Sequence, residues 1–124
     1  MHLIIGGAFQ GKTQFARSRF GLSEADIFPC AGTQIDFSKR CITHLEAYTE
    51  ACTRENRDPA ALFRENPAVW QDSVLILGDI SAGVVPMDPE LRRWREENGK
   101  FGRYLAEHAE SVHRIFCGLE QRLK

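Results

Sequence analysis

Two kinds of hydrophobic pattern alternate along the chain. Four short apolar runs lack helical spacing and lie at residues 2–5, 27–30, 74–77 and 112–117. Continuous apolar runs of this length are typical of strands that are buried on both faces of a parallel sheet. Pro29 indicates that the second strand ends there or lies at a sheet edge. We therefore predict four strands, the last followed by Gly118 and a short polar tail.

Between these runs, apolar residues recur at helical spacing. The pattern predicts a first helix over residues 14–20, with Gly21 as its C-terminal stop. From residue 38 to residue 56, steps of three or four separate Cys41, Leu45, Tyr48 and Cys52, which predicts a longer helix. A short loop at residues 31–34 precedes it.

Proline marks the start of two further helices. Asp58-Pro59 predicts a short helix that Asn66-Pro67 ends, and Asp88-Pro89 opens the longest helix of the chain. Leu91, Trp94, Phe101, Leu105 and Ala109 form the apolar stripe of that last helix. Because Gly99 and Gly102 weaken a helix, we expect a kink or a break between them.

Strands and helices thus alternate from one end of the chain to the other. This order predicts an α/β fold with a mostly parallel sheet, and 124 residues suit a single domain spanning residues 1–124. The net charge of −1 gives no basic field, so we do not expect nucleic acid as the main partner. No apolar run is long enough for a membrane span, and the first strand leaves no room for a signal peptide, so we expect a cytoplasmic protein.

Cysteine and histidine lack the spacing of metal ligands. The four cysteines, Cys30, Cys41, Cys52 and Cys117, include no C-x-x-C pair, and a cytoplasmic protein keeps such residues as free thiols. We expect no structural zinc site.

The stretch between the first strand and the first helix matches G-x-x-x-x-G-K-[ST], the phosphate-binding loop (P-loop) of nucleoside-triphosphate enzymes. Its residues are Gly6, Gly7, Ala8, Phe9, Gln10, Gly11, Lys12 and Thr13. Glycines let successive N–H groups surround a phosphate, Lys12 adds a charge for the β- and γ-phosphates, and Thr13 supplies a hydroxyl for Mg²⁺. The motif predicts nucleotide binding and a three-layer P-loop NTPase fold of the RecA-like type. A glycine turn that merely links strand to helix is the alternative.

Two further features point to the same chemistry. Asp79 follows the apolar strand at residues 74–77, where a carboxylate can serve Mg²⁺ or the reaction, or simply cap the next turn. Arg92, Arg93 and Arg95 cluster where the last helix begins. One or two of them could reach phosphates, or all could be solvated surface residues.

Several stretches together resemble the adenosylcobinamide kinase / adenosylcobinamide-phosphate guanylyltransferase family of cobalamin biosynthesis. The family loop G-G-A-x-x-G-K-[ST] matches residues 6–13, and its N-E-V-G-x-G-I-V-P is similar to residues 78–86. Its R-R-x-R-[DE]-x-x-G-[RK], L-A-x-x-A-x-x-V and G-[LI]-x-x-x-[LI]-K match residues 92–100, 105–112 and 118–124. The chain is shorter than the bifunctional family members in its middle. Arg40 and His44 match the R-x-x-x-H of the guanylyl-accepting motif, but its R-P and W do not follow.

The resemblance implies phosphoryl transfer from ATP or GTP to the hydroxyl of adenosylcobinamide, a corrinoid. It implies catalytic roles for Lys12, Asp79 and Arg93, nucleotide contacts for Arg92, Mg²⁺ held by Thr13 and Asp79, and a homo-oligomer. Guanylyl transfer through His44 is a further possibility. Two alternatives stay open: a nucleotide-binding regulatory or carrier subunit without catalysis, and a small-molecule kinase unrelated to cobalamin. The sequence does not distinguish ATP from GTP.

Overall fold

A computed structural model describes residues 1–81 and 86–124, which form one six-stranded sheet with helices on both faces. The strands are β1 (His2–Gly6), β2 (Ile27–Pro29), β3 (Cys41–Thr43), β4 (Val74–Gly78), β5 (Ser111–Phe116) and β6 (Leu119–Arg122). The α-helices are α1 (Lys12–Phe20), α2 (Leu45–Arg54), α3 (Pro59–Glu65) and α4 (Pro89–His108). The strand order is β2-β3-β4-β1-β5-β6, parallel throughout except for β5 against β6.

Alternate residues of the central strands belong to two hydrophobic cores, one on each face of the sheet. Leu3, Leu75 and Leu77 pack under α2, α3 and α4, whereas Ile4 and Ile76 pack under α1. This alternation with period two is what a strand buried on both faces requires. The predicted α/β class with a mostly parallel sheet is confirmed, and the layers are compatible with a three-layer arrangement.

Most predicted elements are confirmed near their predicted bounds. The four predicted strands correspond to β1, β2, β4 and β5, and β2 lies at a sheet edge as Pro29 indicated. Gly21 ends α1 with a left-handed φ of 63°. Asp58 and Asp88 cap α3 and α4 by accepting the backbone N–H two residues on, each with proline in the first turn.

The helix predicted over residues 38–56 is wrong in its first part. Residues 41–43 form β3, which pairs with β2 on one side and β4 on the other, and the helix begins only at Leu45. Cys41 and Leu45 are both fully buried, so their spacing resembled one helical stripe. Pairing on both edges overrides that local pattern, and the buried, partly β-branched run Cys41-Ile42-Thr43 suits a strand.

Two predictions at the C-terminal end also need correction. The polar tail contains β6, which forms an antiparallel hairpin with β5 through a turn at Cys117 and Gly118. Furthermore, α4 runs without a break past Gly99 and Gly102. Gly102 lies against β4, where an added Cβ would sit 3.1 Å from Leu77 Cδ2, so packing accounts for this glycine.

Rings from three helices form the centre of the larger core. Phe63 of α3 contacts Tyr48 of α2 and Phe101 of α4, with ring centroids 5.9 and 5.1 Å apart. All four cysteines are free thiols, and Cys117 is the exposed one. Among residues 1–81 and 86–124, every helix is too short or too polar to span a lipid bilayer.

Candidate functional site

The glycine-rich loop leaves the carboxyl end of β1 and leads directly into α1. Gly11 has a φ of 91° just before the first helical residue, Lys12, and Phe9 has a φ of 60° with a fully exposed ring. A Cβ on Gly6 would lie 2.6 Å from the Ile115 carbonyl oxygen, so this position excludes larger residues. The predicted order of strand, loop and helix is therefore present, and the N–H groups of the first turn of α1 lie beside the loop.

Lys12 folds back over the loop. Its Nζ donates a hydrogen bond to the Gly7 carbonyl at 2.5 Å. Burial lowers the pKa of Lys12, while the carboxylates of Glu46 and Asp79 act in the opposite direction. The ammonium group thus binds the loop backbone, and the negative charge of both carboxylates favours its protonated form.

A cavity of about 310 Å³ opens beside the loop. Residues 8–14 form one wall, and the opposite wall comes from Thr43, His44 and Glu46 at the junction of β3 and α2. Because β1, β3 and β4 are parallel, their carboxyl ends meet at this edge of the sheet. Ligands of open α/β sheets bind at such an edge.

Asp79 extends β4 next to the loop, and its N–H donates to the Gly6 carbonyl at 2.8 Å. Its Oδ1 accepts the Ser81 N–H at 2.9 Å and the Ser81 hydroxyl at 2.5 Å. Burial opposes ionisation of Asp79, but these hydrogen bonds, with Arg114 and Arg95, hold its pKa below the ordinary value. The carboxylate therefore caps the next turn and stays ionised beside the loop.

The β5–β6 turn supports the far side of the loop. The Cys117 N–H donates to Gln10 Oε1 at 2.5 Å, and the Gly118 N–H donates to the Gln10 carbonyl at 2.9 Å. Arg114 of β5 lines a second cavity, of about 180 Å³, together with Gly7 and Asp79. Arg114 was not anticipated from the sequence, because no motif distinguishes it from other exposed arginines.

The arginines of α4 lie away from the loop cavity. Arg93 donates from Nη2 to the Thr53 carbonyl at 3.1 Å and to Asn56 Oδ1 at 2.8 Å, at the C-terminal end of α2. Arg92 lines a separate groove along α4, and Arg95 donates to the Ser81 carbonyl. Arg93 is thus held in a structural contact, and neither it nor Arg92 lines the cavity beside Lys12.

The helix predicted over residues 38–56 would place His44 in mid-helix, but the structure does not. His44 precedes α2 with a left-handed φ of 57°, and 58% of its side chain is exposed. Arg40 lies at the other end of β3 and donates to the Phe20 and Gly21 carbonyls. The two residues of the R-x-x-x-H spacing therefore lie at opposite ends of β3, and His44 is the one that lines the cavity.

Glu46 was missed by sequence reasoning. It lies in the first turn of α2, lines the cavity, and accepts the Gly78 N–H with Oε1 at 2.9 Å. A single glutamate in a helix carries no sequence signal of its own. Only the correct start of α2 places it opposite the loop.

Thr13 and Asp79 offer the oxygen ligands that Mg²⁺ prefers. A hydroxyl and an ionised carboxylate fit Mg²⁺, which takes few protein ligands and completes its shell with water or ligand oxygens. Across the described residues, no group of three or more His, Cys, Asp or Glu forms a metal site of its own.

Neither a protein-family model nor a curated protein matches this chain.

Proposed function

We propose that this protein transfers a phosphoryl group from ATP or GTP to the hydroxyl of adenosylcobinamide. The observation that carries the proposal is the G-x-x-x-x-G-K-T loop, folded between β1 and α1 with Lys12 bound to the Gly7 carbonyl. Such a constellation supplies what phosphoryl transfer needs, namely positioning and charge stabilisation. The acceptor comes from the sequence resemblance, and the fold of the P-loop NTPases is proposed on the same motif.

Each part of the site has a role in this scheme. The backbone N–H groups of residues 7–13 and the Lys12 ammonium would hold the β- and γ-phosphates. Thr13 and Asp79 would hold Mg²⁺, which neutralises charge on the phosphates when bound. Arg114, which lies near both Gly7 and Asp79, replaces Arg93 as the arginine best placed to balance charge.

Guanylyl transfer is a second candidate, favoured by one observation. The exposed imidazole of His44 lines the same cavity as the loop, and a histidine can attack a nucleotide phosphate. The separation of Arg40 from His44 leaves this candidate weaker than the kinase. A covalent guanylyl adduct on the intact protein after incubation with GTP, absent from His44→Ala, would support it.

A matched pair of lysine variants tests the kinase proposal. Lys12→Ala removes the proposed phosphate contact. Lys39→Ala is the control, because Lys39 also donates one hydrogen bond to a backbone carbonyl, that of Ala25 at 3.0 Å, but lies far from the loop. With Mg²⁺, adenosylcobinamide and γ-labelled ATP or GTP, we expect Lys12→Ala to lose transfer by about a hundredfold or more and Lys39→Ala to keep it. Both variants should melt within a few degrees of the wild type.

The same assay separates the alternatives. Nucleotide binding without labelled product would favour a regulatory or carrier subunit, and transfer to other hydroxyl acceptors alone would favour an unrelated small-molecule kinase. Full turnover by Lys12→Ala would contradict the mechanism. By the same resemblance we propose a homo-oligomer, which light scattering would test. We also propose that the protein is cytoplasmic, as expected from its sequence, which fractionation of cells would test.

A further inference from the structure

Glu46 is held opposite the phosphate loop by contacts from two elements, β4 and α4. Its Oε1 accepts the N–H of Gly78, the last residue of β4, at 2.9 Å. A Cβ on Gly78 would lie 2.7 Å from Glu46 Cδ, so the glycine makes room for this side chain. The Glu46 carbonyl accepts Trp94 Nε1 of α4 at 2.9 Å. The residue is therefore held at both its backbone and its side chain.

A buried polar network makes this position rigid. Asn98 of α4 donates to the Gly78 carbonyl at 3.0 Å and accepts the Thr49 hydroxyl at 2.7 Å. Strand β4, helix α2 and helix α4 are thus tied together directly behind Glu46. A preorganised polar group of this kind is typical of a site that acts on a reacting atom.

The two carboxylates near Lys12 differ in how their oxygens are engaged. Asp79 Oδ1 is bound by the backbone and hydroxyl of Ser81 in its own turn. Glu46 has Oε1 on Gly78, while Oε2 lies 3.4 Å from His44 Nδ1. Glu46 lines the cavity of about 310 Å³ together with Lys12, whereas Asp79 lines the smaller cavity beside Arg114. Glu46 is therefore the carboxylate better placed to meet a group that enters the cavity beside Lys12.

We propose that Glu46 is the carboxylate that orients the acceptor hydroxyl and accepts its proton during phosphoryl transfer, an inference that rests on the proposed function. The hydroxyl oxygen forms a bond to the γ-phosphorus, and the bond from that phosphorus to the β,γ-bridging oxygen breaks. The nucleoside diphosphate leaves with that electron pair. The hydroxyl proton passes to Glu46 Oε2 and then to solvent. Asp79 keeps the roles of turn cap and metal contact.

Glu46→Gln is the test, because the glutamine oxygen can still accept the Gly78 N–H while the charge and the basic group are lost. With Mg·ATP or Mg·GTP and adenosylcobinamide, we expect kcat to fall by about 10²–10⁴. The nucleotide Kd should stay within about threefold of the wild type. Glu46→Asp, which keeps a carboxylate, should retain part of the rate that Glu46→Gln loses. Glu50→Gln, one turn further along α2 and paired with Arg54, is the matched control and should behave as wild type.

The outcomes separate the two levels of the proposal. A wild-type protein that transfers no phosphate to adenosylcobinamide overturns the proposed function and this inference with it. If the wild type is active and Glu46→Gln keeps its rate, the function stands and the role of Glu46 is overturned. If Glu46→Gln loses folding stability, nucleotide binding and rate together, Glu46 is a structural residue and the inference is likewise overturned.

Discussion

At the residue scale, the buried thiol of Cys41 makes the stability of the protein sensitive to alkaline pH. Cys41 is fully buried in the smaller core, and burial raises its pKa from 9.0 to about 12. A thiol whose pKa is raised by folding favours the native state below its unfolded pKa, and this contribution is lost as the pH rises from the unfolded to the folded value. The expected loss is about 1.6 kcal/mol between pH 9 and pH 10.5.

The variant Cys41→Ala isolates that contribution from other groups that titrate at high pH. Denaturant unfolding at pH 7 should show the variant to be less stable, because a small cavity replaces the sulfur atom. Between pH 9 and pH 10.5 the gap to the wild type should close or reverse, since alanine cannot ionise. A gap that stays constant over this range would show that the thiol does not titrate on unfolding.

The candidate site residues fall into two groups: those that a local sequence motif identifies and those that only the fold brings together. The loop and Asp79 were predicted because a short motif and a strand end identify them within a few residues. Glu46 and Arg114 were not predicted, because their proximity to the loop comes from strand order and from the start of α2. The family resemblance implied a catalytic role for Arg93, yet its guanidinium binds Thr53 and Asn56 at the end of α2.

At the element scale, the two glycines of α4 differ in what a methyl group would meet. At Gly99 the nearest atom to an added Cβ is Arg103 Nη1, at 3.9 Å, so the site is open. At Gly102 the Cβ would press on Leu77 at 3.1 Å, inside the core. We expect Gly99→Ala to stabilise the protein by about 0.5–1 kcal/mol through helix propensity and reduced freedom of the unfolded chain.

Gly102→Ala is the matched comparison, because it adds the same methyl group to the same helix. The added methyl group overpacks the core and displaces Leu77. The cost in stability should cancel or exceed the gain from helix propensity. Thermal unfolding of the two variants side by side measures the difference. Equal stabilisation by both would mean that α4 can shift away from β4 at no cost.

The elements themselves were predictable where the hydrophobic pattern was local and unambiguous. β1, β4 and α3 have clear boundaries, set by glycine, proline or a capping aspartate, and the structure agrees with them. β3 was missed because three residues are too few to show a period of two, and because Cys41 continued the spacing of α2. β6 was missed because all four of its residues are exposed, so it has no apolar pattern to detect.

At the scale of the whole molecule, the strand order places the candidate site on the best-supported part of the sheet. β1 is paired along its length with β4 on one side and with β5 on the other. By contrast, β2 and β6 form the two edges, each with a single neighbour. The loop and Asp79 therefore follow central strands, so the residues proposed to bind phosphate extend from the most constrained backbone of the fold. The sequence predicted the α/β class from alternation, but no local feature specified which strands would be neighbours.

This arrangement predicts a gradient of stability across the sheet. In hydrogen exchange at neutral pH, the amides of Leu3, Ile4 and Ile76 should exchange only through global unfolding, since both cores cover them. The amides of β2 and β6 should open locally and exchange at least about a hundredfold faster. Adding Mg·ATP or Mg·GTP should slow exchange in residues 7–13 and leave β2 unchanged, because two strands, β3 and β4, separate β2 from β1 in the sheet. Protection of β2 equal to that of β1 would show that the edge is covered in solution, as in an assembly that pairs this strand. Protection spread evenly over the sheet on nucleotide addition would instead place the ligand outside the loop.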